Sequence, residues 1–200
     1  FDPFIRDVEE LNRCALSGAL PVTKVSCAAY LRLQDSHQFL RSGGAFGRGC
    51  GPLVIVRDAQ ADPKKLNGAT VAIPGELTTA YLLLRLFTDA MGCRPARYVP
   101  MVFHEIMPAV AEGRADAGVI IHESRFTYQT LGLHRLVDLG AWWEETTGLP
   151  IPLGGIIAQK SLGVRVIEDM QELIRISLAY TRTHPDEAMP FIRQHAQELA

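Results

Sequence analysis

Gly148-Leu-Pro-Ile-Pro-Leu-Gly-Gly155 is one of two stretches that determine how this chain is divided into lobes, and the other is the earlier pair Gly51-Pro52. Both are rich in glycine and proline, and both separate segments with regular hydrophobic patterns. We interpret them as two crossings of the chain between lobes. Lobe one would then consist of residues 1–57 and 153–200, and lobe two would be the inserted residues 58–152. A cleft between two such lobes can close around a small molecule.

Strand and helix patterns alternate along the rest of the chain. Short apolar runs predict strands, and apolar residues spaced three and four apart predict helices. The predicted strands are 21–25, 53–56, 69–73, 96–99, 117–121, 134–139 and 156–158. The predicted helices are 7–16, 27–33, 80–91, 105–112, 141–147, 166–183 and one that starts at Pro185. This alternation favours an α/β fold with a parallel or mixed sheet.

The composition excludes several classes of protein. A hydrophobic content of 48% in 200 residues supports a real core, and 20 Lys+Arg against 22 Asp+Glu leave no basic surface for nucleic acid. No apolar stretch approaches the ~20 residues that membrane insertion needs. The four cysteines lack metal-ligand and disulfide-framework spacing, so we expect reduced thiols in a cytoplasmic protein. The chain begins with Phe1 and not with Met, so its natural N-terminus is not defined by the sequence.

His122 is the strongest candidate for a catalytic residue. The apolar run 118–121 predicts a buried strand, and His122 follows that strand directly. Ligands of open α/β sheets bind beyond the carboxyl ends of the strands. A helix start after His122 would favour the neutral imidazole, which could act as a general base near pH 7. A core histidine that bonds to a backbone carbonyl remains an equally open alternative.

Two further segments end a strand with polar residues before a helix. Thr78-Thr79 follows Pro74-Gly-Glu-Leu77 and would place two hydroxyls and free N–H groups where a carboxylate could bind. Lys24-Val25-Ser26 has the same form near the N-terminus. Ordinary helix capping by threonine and a solvated surface lysine are the alternatives.

Motifs for other chemistries are incomplete. His104-Glu105 and His122-Glu123 begin like a zinc-protease motif, but neither is followed by the second histidine. No Gly-x-Ser-x-Gly sequence is present. The glycine-rich stretch 42–51 lacks the Lys-Ser/Thr ending of a phosphate-binding loop, and it lacks the spacing and strand context of a dinucleotide-binding motif. We therefore expect no metal and no nucleotide cofactor.

Taken together, these motifs resemble the 1,4-dihydroxy-6-naphthoate synthase family of the futalosine route to menaquinone. The segments that carry the resemblance cover nearly the whole chain. They are 7–18 with 22–26, 40–53, Thr78-Thr-Ala80, Ile120-Ile-His-Glu-Ser-Arg-Phe-Thr-Tyr128, and 138–145 followed by 147–155.

The resemblance implies a two-lobed fold like that of type II periplasmic binding proteins. It also implies a lyase that converts cyclic dehypoxanthinyl futalosine to 1,4-dihydroxy-6-naphthoate. The proton acceptor of the family falls on His122, and its substrate contacts fall on Lys24, Val25, Ser26, Thr78 and Thr79. Because the family has a further N-terminal strand and a longer C-terminus, we expect lobe one to be truncated at both ends.

Other functions remain open at this point. The sister enzyme of the same pathway, which dehydrates chorismate, is one alternative. A solute-binding protein that captures a small carboxylate without converting it is another. A ligand-sensing regulatory domain would need a DNA-binding segment, which this sequence lacks.

Overall fold

The structure is a computed structural model that describes residues 4–122 and 124–195. Its strands are β1 Val22–Ser26, β2 His37–Phe39, β3 Ala45–Gly47, β4 Leu53–Val56, β5 Thr70–Ile73, β6 Arg97–Pro100, β7 Ala117–Ile120, β8 His134–Asp138 and β9 Ile151–Gln159. Its α-helices are α1 Val8–Leu16, α2 Cys27–Tyr30, α3 Thr79–Ala90, α4 Ile106–Ala111, α5 Ser124–Thr127, α6 Leu139–Thr147, α7 Val164–Thr183 and α8 Pro185–His195. Short 3-10 helices cover Pro63–Leu66, Phe103–Glu105, Tyr128–Leu131 and Lys160–Leu162.

The strands form two separate sheets. The smaller sheet has the order β1-β9-β2, with β3 also paired to β9, and all of its pairs are antiparallel. The larger sheet has the order β6-β5-β7-β4-β8. In it, β5 runs parallel to β6 and β7, whereas β4 runs antiparallel to β7 and β8. The larger sheet is therefore mixed, one of the two forms predicted from the alternation of strands and helices.

Strand β4 belongs to the larger sheet, which corrects the predicted boundary after residue 57. Its four residues are all buried, and Leu53 pairs with Ile120 on one side and with Asp138 on the other. The chain thus crosses between the sheets before Leu53. The return crossing also ends earlier than predicted, because β9 already pairs with β3 at Ile151. Pro152 lies in β9 opposite an irregular pairing in β3, the setting in which a strand tolerates proline.

Helices cover both faces of each sheet. One face of the larger sheet packs against α3 and α6, and the other packs against α4, through two clusters of buried aliphatic side chains. The smaller sheet contacts α1 and α2 on one face and α7 on the other. The alternation along β4 explains this arrangement, since Val54 and Val56 belong to one cluster and Leu53 and Ile55 to the other.

Helix α3 forms as its sequence predicts. Thr78 is the N-cap, and its hydroxyl oxygen accepts a hydrogen bond from the N–H of Tyr81 at 3.2 Å. Leu83, Leu84 and Phe87 form the buried stripe. The chain leaves the helix through Gly92, whose φ of +66° favours glycine. This helix fixes Thr78 and Thr79 at the edge of the larger sheet where β5 ends.

Candidate functional site

His122 lies just beyond the buried strand β7, as its sequence position predicts. All four residues of β7 are buried, Ile121 is half-buried and His122 is exposed. The imidazole packs edge-on against Phe103, with ring centroids 5.7 Å apart and an interplanar angle of 77°. An exposed ring held by an aromatic neighbour is accessible to a ligand, so the alternative of a core histidine is not the arrangement found.

The backbone of His122 has an unusual conformation. Its φ is +53°, and within residues 4–122 and 124–195 no other non-glycine residue has a positive φ. Such a conformation costs on the order of 1–3 kcal/mol and persists only when its surroundings fix it. The helix start expected after His122 exists, but α5 has a single turn, so its dipole contributes little.

The ends of several strands meet at the edge of the larger sheet that carries His122. Because β5 and β7 are parallel, the loop from β5 to α3 emerges at the same edge as His122. Strand β4 is antiparallel to β7, so the crossing at Gly51 and Pro52 enters the sheet there. A cavity of about 360 Å³, lined in part by Val56, lies at the opposite edge.

Ser26 and Thr79 each form hydrogen bonds that link the two lobes. Ser26 is buried at the end of β1, and its hydroxyl donates to the carbonyl of Leu77 at 2.5 Å. The hydroxyl of Thr79 donates to the carbonyl of Leu153 at 3.2 Å and accepts from the N–H of Ala28 at 3.4 Å. These bonds join the starts of α2 and α3. Among the described residues, no hydrogen bond or ring contact joins the side chain of His122 to Ser26, Leu77 or Thr79.

Thr78 and Thr79 are both buried, and their hydroxyl protons are directed to backbone carbonyls. Thr78 donates to the carbonyl of Gly75 at 2.7 Å while it caps α3. The N–H groups of Thr79 and Ala80 have no recorded protein acceptor in the part of the chain that the structure describes, although both residues are at most 5% exposed. Two such donors at the start of a helix suit an anion.

Lys24 and Val25 occupy different environments on β1. Lys24 is exposed, whereas the side chain of Val25 is fully buried in the cluster with Ala15 and Ile157. A ligand can therefore meet the ammonium group of Lys24, but only the backbone of Val25.

Arg125 was not identified from the sequence, yet it connects the segment after His122 with the first crossing and with Asp138 at the end of β8. Its guanidinium donates to the carbonyls of Gly51 and Gly49 and forms a 2.8 Å ion pair with Asp138. Asp138 also caps α6 by accepting from the N–H groups of Gly140 and Ala141. No sequence pattern indicates that Arg125 would pair with Asp138, which is 13 residues further along the chain.

Glu9 and Asn12 were missed as well. Both are buried on α1, and the carboxylate of Glu9 accepts from the N–H of Leu77 at 3.3 Å. Burial raises the pKa of the Glu9 carboxyl above its usual value, although hydrogen bonds from Asn12 and Leu77 oppose the shift. Apolar spacing predicts the helix 7–16 but gives no signal for the contacts of these two polar residues.

Comparison with known proteins assigns the chain to a family. The family model for menaquinone biosynthesis matches residues 1–200. The chain belongs to this family. The 1,4-dihydroxy-6-naphthoate synthase of Thermus thermophilus is 52% identical over 199 residues, which are 100% of this chain and 70% of that protein. The synthase of the same name from Streptomyces coelicolor is 48% identical, over 99% of this chain and 70% of its own length. The predicted resemblance to this enzyme family is confirmed.

Several solved structures superpose on this chain and have the same fold. A protein from Archaeoglobus fulgidus is 36% identical and superposes with a TM-score of 0.85, over 98% of this chain and 71% of its own. The alkanesulfonate-binding protein of Xanthomonas axonopodis pv. citri has a TM-score of 0.66 at 14% identity, over 94% of this chain and 66% of its own. At that identity the likeness shows the fold alone. The protein has the two-lobed fold of type II periplasmic binding proteins, as predicted.

No group of three or more His, Cys, Asp or Glu side chains in the described residues could hold a metal ion. Across residues 4–122 and 124–195, the helices are too short or too polar to cross a membrane.

Proposed function

We propose that this protein converts cyclic dehypoxanthinyl futalosine to 1,4-dihydroxy-6-naphthoate, with His122 as the general base. Membership of the menaquinone biosynthesis family and the names of the two similar synthases support this reaction. The observation that carries the role of His122 is its exposed imidazole on a strained backbone at a strand end. Unfavourable backbone conformations of this kind cluster at active sites.

Formation of an aromatic ring from the cyclic precursor requires the removal of a carbon-bound proton. A neutral imidazole can accept that proton, and such general base catalysis typically contributes about 10²–10⁴-fold in rate. The edge-on contact with Phe103 restricts the orientation of the His122 ring. The proposed reaction is that of a carbon–carbon lyase, because a small carbon fragment leaves as the ring becomes aromatic.

The substrate carboxylate is proposed to bind at the start of α3. The free N–H groups of Thr79 and Ala80 would donate to it, with Thr78 and Thr79 as the residues that shape this position. Lys24 would contribute a positive charge. Ser26 and the backbone of Val25 would border the substrate from β1. For Ser26 to bind substrate directly, its hydroxyl must leave the carbonyl of Leu77.

The protein is proposed to act in the cytoplasm on a small carboxylate, without a metal or nucleotide cofactor. The proposed reaction involves neither binding to nucleic acid nor insertion into a membrane.

Product analysis tests the proposal. The purified protein is incubated with cyclic dehypoxanthinyl futalosine, and separately with chorismate, and the products are identified by mass spectrometry. Release of 1,4-dihydroxy-6-naphthoate from the first supports the proposal. Recovery of that compound unchanged but protein-bound would indicate a solute-binding protein. Dehydration of chorismate would indicate the sister enzyme.

A further inference from the structure

Leu77 connects the two lobes through its backbone and its side chain. It lies in the loop before α3, yet its side chain is buried in the cluster of the smaller sheet with Val25 and Ala29. Its N–H donates to Glu9, and its carbonyl accepts from Ser26 and from Asn12 at 3.4 Å. The start of α3 is thus held by groups of the opposite lobe.

Asn12 is the residue that links Ser26 with Leu77. It is fully buried, and its Oδ1 accepts from the N–H of Ser26 at 2.9 Å. Its Nδ2 donates to the hydroxyl of Ser26 at 3.1 Å and approaches the carbonyl of Leu77. The donor N–H of Ser26 fixes the orientation of the amide, because only oxygen can accept that bond.

We propose that Asn12 is a positioning residue for carboxylate binding, because it sets the place of Ser26 and of the α3 start relative to each other. The inference rests on the proposed function. Leu77 immediately precedes Thr78, so a shift of Leu77 moves the N–H groups of Thr79 and Ala80 that would hold the carboxylate. Asn12 itself lies beneath these groups and has no route to the substrate, since it is 0% exposed.

The test compares Asn12→Leu with Ile167→Ala. The leucine has a similar volume but can form none of the amide's hydrogen bonds. Ile167 is a buried residue of α7 and packs in a cluster of the same lobe that contains neither Leu77 nor Ser26, so its substitution controls for a general loss of stability. Steady-state kinetics with the cyclic precursor give KM and kcat for each variant. Hydrogen exchange measured by mass spectrometry reports on the amides of residues 74–82.

We expect Asn12→Leu to raise KM about ten-fold, to leave kcat within about two-fold and to speed amide exchange at residues 74–82. Ile167→Ala should leave KM and that exchange unchanged. Asn12→Asp should not rescue the loss, because it keeps the acceptor for the Ser26 N–H but replaces the Nδ2 donor with an oxygen that faces the Leu77 carbonyl and the Glu9 carboxylate.

Three outcomes separate the possibilities. The role of Asn12 is overturned if the wild type turns over the precursor and Asn12→Leu changes neither KM nor the amide exchange of residues 74–82. The same holds if Asn12→Leu and Ile167→Ala have equal effects. If the wild-type protein does not turn over the precursor but Asn12→Leu still speeds exchange, the proposed function fails while the link from Asn12 to the α3 start stands.

Discussion

The guanidinium of Arg125 and the carboxylate of Asp138 form a 2.8 Å ion pair in which the two side chains are only 14% and 16% exposed. The pair lies between the segment after His122 and the start of α6. It is one of the features that fix the edge of the larger sheet, and each of its partners also bonds to the backbone of a neighbouring segment.

Removal of Arg125 should therefore destabilise the protein. Arg125→Met leaves the Asp138 carboxylate without its cation and the carbonyls of Gly49 and Gly51 without a donor, so we expect a loss of about 2–3 kcal/mol in the free energy of unfolding. Urea denaturation measures it. Arg94→Met is the matched control, because the Arg94–Asp89 pair is exposed at the surface and should contribute little. An equal loss in the free energy of unfolding for the two variants would show that the Arg125–Asp138 pair stabilises the protein no more than the exposed pair does.

The contact between Gly51 and Gly140 allows no side chain. A Cβ on Gly51 would lie 2.3 Å from the Cα of Gly140, so backbone would have to move. We expect Gly51→Ala to cost about 1–3 kcal/mol of stability, the usual range for overpacking. Gly44→Ala serves as control, since its Cβ would meet Phe46 at an ordinary 3.4 Å. Thermal unfolding of both variants checks the prediction, which fails if Gly51→Ala is as stable as Gly44→Ala.

Glu9 should make stability depend on pH. Burial raises the pKa of its carboxyl in the folded protein above the unfolded value near 4.5, so the folded state binds the proton more tightly. The contribution of the protonated Glu9 carboxyl to the free energy of unfolding is complete below pH 4.5. It is lost as the pH rises through the pKa of the folded protein. Urea unfolding of wild type and Glu9→Gln between pH 4 and 7 measures the effect. The wild type should lose stability relative to Glu9→Gln as pH rises, and a constant difference would exclude this role for Glu9.

Several local features of the fold were predictable from the sequence. The apolar run before His122 predicted β7, and the threonine pair predicted the start of α3, because strand periodicity and helix capping are local signals. The longer β9 was hidden by Pro150 and Pro152, which are typical of linkers. The place of β4 was also missed, since sheet membership depends on partners distant in sequence.

The candidate site was predictable only in part. His122, Ser26 and the threonine pair stand out because they are polar residues at element boundaries. Leu77, Asn12 and Arg125 do not, since their roles arise from contacts between segments that lie far apart in sequence. No local pattern could indicate that a leucine before α3 packs into the opposite lobe.

In the proposed reaction, His122 removes a proton from the cyclic precursor. The most direct measurement is the rate of 1,4-dihydroxy-6-naphthoate formation by wild type, His122→Ala and the control His134→Ala, which alters an exposed histidine on β8. We expect His122→Ala to lower kcat by about 10²–10⁴-fold with folding intact, and His134→Ala to remain within two-fold of wild type. A folded His122→Ala variant with the kcat of the wild type would contradict this role for His122.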